Sequence, residues 1–133
     1  PMQARGAGTL VGVASVAGIR GLPGAGAYSA SKSAAISYLE SLRVELRGSG
    51  VQVKTLCPGY IDTPMTEKNP YPMPFMLDAD DAAARFARFF DSRRSYAVIP
   101  WQMGVVAKLM RLLPNPVYDA LAVKSGRKPR GTL

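Results

Sequence analysis

Tyr28 and Lys32 stand four residues apart in the stretch Tyr28-Ser-Ala-Ser-Lys32, and Ser15 precedes Tyr28 by thirteen residues. On a helix, side chains at i and i+4 share a face. An ammonium beside a phenol favours the phenolate. A phenol donates a proton and a phenolate accepts one, so the pair could serve an alcohol or carbonyl oxygen as acid or base. Histidine is absent from the 133 residues. That excludes Ser–His–Asp and Cys–His catalysis and removes the commonest zinc ligand, so no metal site is expected. Proton transfer is left to Tyr, Lys, Asp and Glu. A YxxxK spacing alone arises by chance in many helices, and its surroundings carry the stronger case.

The elements that must hold these residues are legible. Thr9 to Ala14 reads as a short buried strand, apolar on both faces as in a covered parallel sheet. A loop with Gly18, Gly21, Pro23, Gly24 and Gly26 follows, then a long helix from about Ala27 to Arg47. Ala30, Ala34, Leu39, Leu42 and Leu46 are among its apolar positions, and Gly48 and Gly50 stop it. Val51 to Leu56 predicts a second strand that ends in the turn Cys57-Pro58-Gly59. Asp62 to Leu77, with its four prolines, reads as an irregular flap. Asp78 or Asp80 can cap a helix running to about Phe90. Ser95 to Ile99 is a third strand, followed by a helix from about Gln102 to Leu113, a short helical turn and a basic tail. The fold class is therefore α/β: three strands alternate with helices, and right-handed crossovers are expected to give a parallel sheet with helices on its faces. Ligands bind such sheets at the carboxyl ends of the strands, where Ser15, Gly59 and the flap all fall.

Composition bounds the partners. The chain has room for one domain, and no apolar run reaches the ~18–20 residues of a membrane span. Cys57 is the only cysteine, which rules out an intrachain disulfide and favours an intracellular, cytoplasmic location; it is expected to be a small buried residue. The net charge is +8. Residues 101–133 hold six basic groups against Asp119, whereas residues 51–100 are balanced. Met103, Val106, Leu109, Met110 and Leu113 recur at helical spacing near Trp101. Residues 101–123 therefore read as an amphipathic extension and 124–133 as a basic tail, attached to a domain of residues 1–100. The extension invites either packing on the domain or a second subunit, or peripheral contact with a membrane surface. The tail lacks interleaved aromatics, so nucleic acid is not an expected partner.

Four linked stretches resemble one family. Ala14-Ser-Val-Ala-Gly18, Leu22-Pro-Gly24, Ala27-Tyr-Ser-Ala-Ser-Lys32 and Pro58-Gly-Tyr-Ile-Asp-Thr63 occur in the order found in the catalytic half of the short-chain dehydrogenase/reductases, single-domain branch, and the resemblance runs from about Gly8 to Pro100. It implies a doubly wound Rossmann fold and an oxidoreductase that uses NAD or NADP on a secondary alcohol/ketone pair. By that resemblance, Tyr28 is the general acid/base and Ser15 holds the reacting oxygen. Lys32 binds the nicotinamide ribose and favours the Tyr28 phenolate. Pro58, Gly59, Ile61 and Thr63 lie beside the nicotinamide. Met65, Tyr71, Met73, Phe75 and Met76 in the flap suggest an apolar small-molecule substrate. The Ala-rich face of the long helix suits a homo-oligomer.

The chain departs from the family pattern in three respects. It has no glycine-rich G-x-x-x-G-x-G turn, no residue that separates NAD from NADP, and no upstream asparagine. It reads as the C-terminal half of a longer sequence, with the first four strands missing. The alternative to the enzyme is a truncated, catalytically silent fragment that retains only subunit association or membrane-surface binding.

Overall fold

A computed structural model of the chain describes residues 1–62 and 75–124. In chain order the elements are α1 (Met2–Arg5), β1 (Gly8–Val13), a 3-10 turn (Val16–Gly18), α2 (Gly26–Glu45), β2 (Val51–Pro58), β3 (Ile61–Asp62), β4 (Leu77–Asp78), α3 (Ala79–Asp91), β5 (Tyr96–Ile99), α4 (Trp101–Leu112) and α5 (Asn115–Lys124). The expected alternation of three principal strands with helices is present, and these strands form a parallel sheet in the order β1-β2-β5.

Register assigns the two faces of the sheet. Gly12, Thr55 and Tyr96 are level with one another, as are Val13, Leu56 and Ala97. Side chains alternate along each strand, so the two sets point to opposite faces. On the Gly12 face lies α2, so close that a Cβ at Gly12 would fall 2.2 Å from Leu39 Cδ1. The missing side chain lets helix and strand meet there. On the same face α4 reaches β5, where a Cβ at Gly104 would lie 3.1 Å from Val98 Cβ. The opposite face carries the main apolar cluster: Leu56, Ala97 and Ile99 from the strands and Phe89 from α3, with Phe86 and Leu77 packed around them.

The arrangement corrects one expectation. Both crossovers step in the same direction across the sheet, yet α2 covers one face and α3 the other. They are therefore of opposite hand, and one departs from the right-handed rule. A second correction concerns β1. Among the described residues its register partner is β2 alone, and Val13 is 56% exposed with Leu10 and Val11 also exposed. Apolar residues on both faces signalled a covered strand, but in this chain α2 covers β1 mainly at Gly12.

Smaller differences concern helix ends. Asp78 occupies the N-cap position of α3 with extended backbone, but its side chain makes no capping bond. The first turn instead carries Asp80 and Asp81, and Asp81 pairs with Arg85 at 3.1 Å. The short helical turn expected after Pro114 is a full ten-residue helix, α5. The face that α2 turns to the sheet contains Ser29, Lys32, Ile36, Leu39 and Leu42, with Leu46 just past its end, while Ala30 and Ala34 are exposed. The two ends of the expected flap are pinned, since Ile61–Asp62 pairs in parallel with Leu77–Asp78. Met65, Tyr71 and Met73 lie outside the described residues.

Candidate active site

Ser15 owes its place to the end of β1. The ladder continues one residue past the strand, where the Ala14 N–H donates to the Leu56 carbonyl at 2.7 Å. Ser15 is extended and caps the 3-10 turn, its Oγ accepting from the Ala17 N–H at 3.1 Å. A hydroxyl that accepts in this way still has its own proton to donate to a ligand oxygen. Cys57 follows Leu56 at the end of β2, beside this turn. Cys57 is wholly buried, as expected. Burial pushes its thiol up, against smaller opposing effects of the Tyr96 hydroxyl and the Ser15 backbone. Cys57 Sγ donates to the Tyr96 hydroxyl at 3.7 Å. Tyr96 is itself pushed up, chiefly by burial and then by the neighbouring Cys57.

The turn that begins at Ser15 ends on the Tyr28–Lys32 helix. Gly18 is buried against α2 so tightly that a Cβ there would lie 2.7 Å from the Lys32 carbonyl carbon and 2.8 Å from the Ser33 nitrogen. Only glycine allows this approach. The chain then crosses to the helix start through Leu22-Pro-Gly-Ala25. The Ala25 N–H donates to the Leu22 carbonyl at 3.1 Å, and Gly24 has φ 80°. Pro at the second position and a positive-φ Gly at the third fit a type II turn. Ser29 locks that turn to the helix: it is buried, and its Oγ accepts from the Leu22 N–H at 3.2 Å. Reading the motif for Tyr and Lys alone passed over Ser29. Its signal lies in helical phase, because a residue one after Tyr28 and three before Lys32 points inward.

Tyr28 and Lys32 share a face of α2 one turn apart. The Lys32 Nζ lies 5.6 Å from the Tyr28 ring centroid, and Tyr28 is 39% exposed. That distance is within cation–π range. The helix backbone at Tyr28 also accepts from the Ser31 hydroxyl at 2.8 Å.

The third part of the site is the end of β2. Extending the β1–β2 register past Val13 and Leu56 brings Ser15 level with Pro58, which is level with Ile99 on β5. The Gly59 N–H donates to the Ile99 carbonyl at 2.8 Å. A Cβ at Gly59 would crowd Met103 at 3.1 Å and Pro100 at 3.2 Å. Ile61 follows in β3, where the Leu77 N–H reaches back to the Tyr60 carbonyl at 2.9 Å. Thr63 lies outside the described residues. Ser15, Pro58 and Gly59 thus share one carboxyl edge, and Gly18 joins that edge to the helix of Tyr28 and Lys32. The hydroxyl of Ser15 at that edge, and the phenol and ammonium on the helix joined to it, are groups that can hydrogen-bond a polar ligand. The chain contains no glycine-rich turn for the pyrophosphate of a dinucleotide.

A groove of about 830 Å³ lies on the α2 face, between α2 and α4 and floored by Thr55 and Tyr96. It meets the site only at the Gly18–Gly21 loop and Ser29, and does not include Ser15, Tyr28 or Lys32. Among the described residues, no group of three or more Cys, Asp or Glu could hold a metal ion. No described helix is long and apolar enough to cross a membrane.

Comparison with known proteins agrees with this geometry. A family model described as short chain dehydrogenase matches residues 1–72, just over half the chain. An uncharacterized oxidoreductase of Myxococcus xanthus is 43% identical over 121 residues, covering 91% of this chain and 48% of that protein. A 3-oxoacyl-(acyl-carrier-protein) reductase of Thermotoga maritima is 46% identical over 63 residues, 47% of this chain and 26% of that one. The crystal structure of a short chain dehydrogenase from Burkholderia cenocepacia in complex with NADP superposes with a TM-score of 0.73 at 23% identity, over 93% of this chain and 50% of the other. The chain belongs to the short chain dehydrogenase family. It spans about half the length of the Myxococcus relative.

Proposed function

We propose that this chain supplies the proton-transfer half of an NAD- or NADP-dependent oxidoreductase that interconverts a secondary alcohol and a ketone. The observation that carries this reading is the seating of Gly18 on Lys32. It ties the Ser15 turn to the helix bearing Tyr28 and Lys32, at the edge that also holds Gly59. The chemistry that the nicotinamide cofactor supplies when bound is hydride exchange with the substrate carbon.

The chain's own residues handle the oxygen. In the reducing direction, the Ser15 hydroxyl donates a hydrogen bond to the ketone oxygen and holds it. As negative charge develops on that oxygen, the Tyr28 hydroxyl gives up its proton to complete the alcohol. The Lys32 ammonium then faces a phenolate, which it stabilises. Oxidation reverses these steps. Lys32 would also donate to the ribose hydroxyls, and Pro58, Gly59, Ile61 and Thr63 would border the nicotinamide. Phe75 and Met76, both exposed at the close of the flap, support an apolar substrate. The Thermotoga relative, named for a 3-oxoacyl substrate, points to the same class.

The reading is tested in the full-length protein by Tyr28→Phe. Turnover is expected to fall by about 10²–10⁴-fold, the usual worth of a positioned acid/base. Cofactor affinity should stay within roughly twofold, because the ring remains. An unchanged kcat would refute the assigned role.

A second reading concerns α4. Of the apolar positions expected on it, Met103 is buried and Met110 and Leu113 are half-buried, whereas Trp101, Val105, Leu109 and Leu112 follow helical spacing on its outer face, with Trp101 68% and Leu112 78% exposed. Lys108 and Arg111 flank them. Subunit association or peripheral binding to an anionic membrane through residues 101–133 would use this stripe. Co-sedimentation of the full-length protein with anionic vesicles, with and without residues 101–133, tests the membrane form. Equal binding by both would sink it.

A further inference from the structure

The segment from Ile19 to Gly21 leads out of the Ser15 turn towards the helix of Tyr28, and it is tied to the C-terminal helices by one side chain. Arg20 Nη1 donates to the Met110 carbonyl at 2.5 Å and the Leu113 carbonyl at 2.8 Å, with the Arg111 carbonyl at 3.3 Å. Arg20 Nη2 donates to Asn115 Oδ1 at 3.3 Å. The guanidinium also lies over the Tyr118 ring of α5, its central carbon 3.9 Å from the centroid. Tyr118 completes the tie by donating its hydroxyl to the Gly21 carbonyl.

Each contact has a physical reason. The last carbonyls of a helix have no partner within the helix, and a cation at a helix C-terminus is favoured by the dipole. A guanidinium presents several donors in a fixed plane, so it can bridge the end of α4 and the start of α5 while stacking on an aromatic ring. Seen from the loop, the same contacts hold Arg20 and Gly21, and Ser29 holds Leu22 from the other side. The connection between Ser15 and Tyr28 is thus fastened at three points: Gly18 and Leu22 on α2, and Arg20–Gly21 on the joint of α4 and α5.

We propose that Arg20 is a positioning residue for the reaction: by clamping the Ser15–Tyr28 connection to the α4–α5 joint, it holds Ser15 in register with Tyr28. The proposal rests on the functional reading above. The C-terminal helices then act on the site without contributing a group to it. A loop released at this point would let the serine hydroxyl drift, and misplacement of about 1 Å can cost on the order of a hundredfold in rate.

The test uses the full-length protein with Arg20→Met, Tyr118→Phe, Ser15→Ala and the Arg20→Met/Ser15→Ala double variant. Arg20→Met is expected to lower kcat by roughly 10–100-fold per folded molecule, with KM for the cofactor within about twofold. Tyr118→Phe, which removes only the bond to Gly21, should give a smaller loss in the same direction. Because Arg20 acts through Ser15, the double variant should be little slower than Ser15→Ala alone. An unchanged kcat per folded molecule, or fully additive losses, would overturn the proposal and leave Arg20 a purely structural residue. Hydrogen exchange separates this outcome from a failure of the functional reading. Arg20→Met should speed exchange at the Leu22 and Ala25 amides at least about tenfold while the α3 amides are unaffected. Unchanged exchange there contradicts the clamp whether or not the protein turns over a ketone.

Discussion

Lys32 and Lys54 belong to opposite faces of one sheet and are used in opposite ways. Lys54, on β2, is 1% exposed. Its Nζ donates to the carbonyls of Ser92 at 2.5 Å and Arg94 at 2.7 Å, with the Phe89 carbonyl at 3.5 Å. Those carbonyls belong to the end of α3 and the link to β5, so the lysine closes a helix terminus from below and lies 5.2 Å from the Phe89 ring centroid. An ammonium has three protons to give, and Lys54 directs them into the protein. Lys32 is half-buried on α2. Its Nζ lies over the Tyr28 ring, 5.6 Å from the centroid. A lysine saturated by backbone carbonyls serves the fold, whereas under the proposed function the lysine beside Tyr28 would give its donors to a ligand.

The largest stability effect should follow from Lys54→Met in the full-length protein. The Phe89 carbonyl keeps the Ser92 hydroxyl and amide as donors, but the Ser92 and Arg94 carbonyls lose this one. A cost of about 2–4 kcal/mol is expected, at roughly 1–3 kcal/mol per buried group left unpaired. Denaturant melts would measure it, and turnover per folded molecule should be nearly unchanged. A smaller effect is expected from Gly18→Ala, which tests the other face. A methyl there meets α2 backbone rather than a flexible side-chain end, so overpacking should cost about 1–3 kcal/mol. Unlike Lys54→Met, it should also lower kcat, because the displaced turn carries Ser15. If Gly18→Ala is neutral in both respects, the seating of the turn on Lys32 does not hold the site together.

Much of the candidate site could be read from the chain because its chemistry is local. Tyr28, Lys32 and the glycines around them lie within one loop and one helix, and the Pro58-Gly59 turn follows directly from a strand. Contacts that join distant segments were less legible. The role of Lys54 depends on carbonyls 35 to 40 residues further on, and an alternating strand gives no sign that a lysine will be capped from another element. The ties of Arg20 reach 90 to 95 residues along the chain. The opposite hands of the two crossovers were hidden for a related reason. Strands that alternate with helices call for a sheet covered on its faces, but the order does not say which helix covers which face. The exposure of β1 has a similar origin, since covering its apolar residues takes neighbours that Thr9 to Ala14 do not encode.

The most direct test is a paired measurement of turnover and thermal melting on Lys32→Met in the full-length protein. The change removes the ammonium and keeps most of the side chain's bulk against Gly18. Turnover is expected to fall by at least about tenfold and cofactor affinity to weaken, while the melting temperature stays within a few degrees of the parent. A variant that melts early yet turns over normally per folded molecule would contradict this expectation, and would make Lys32 a structural lysine of the same kind as Lys54.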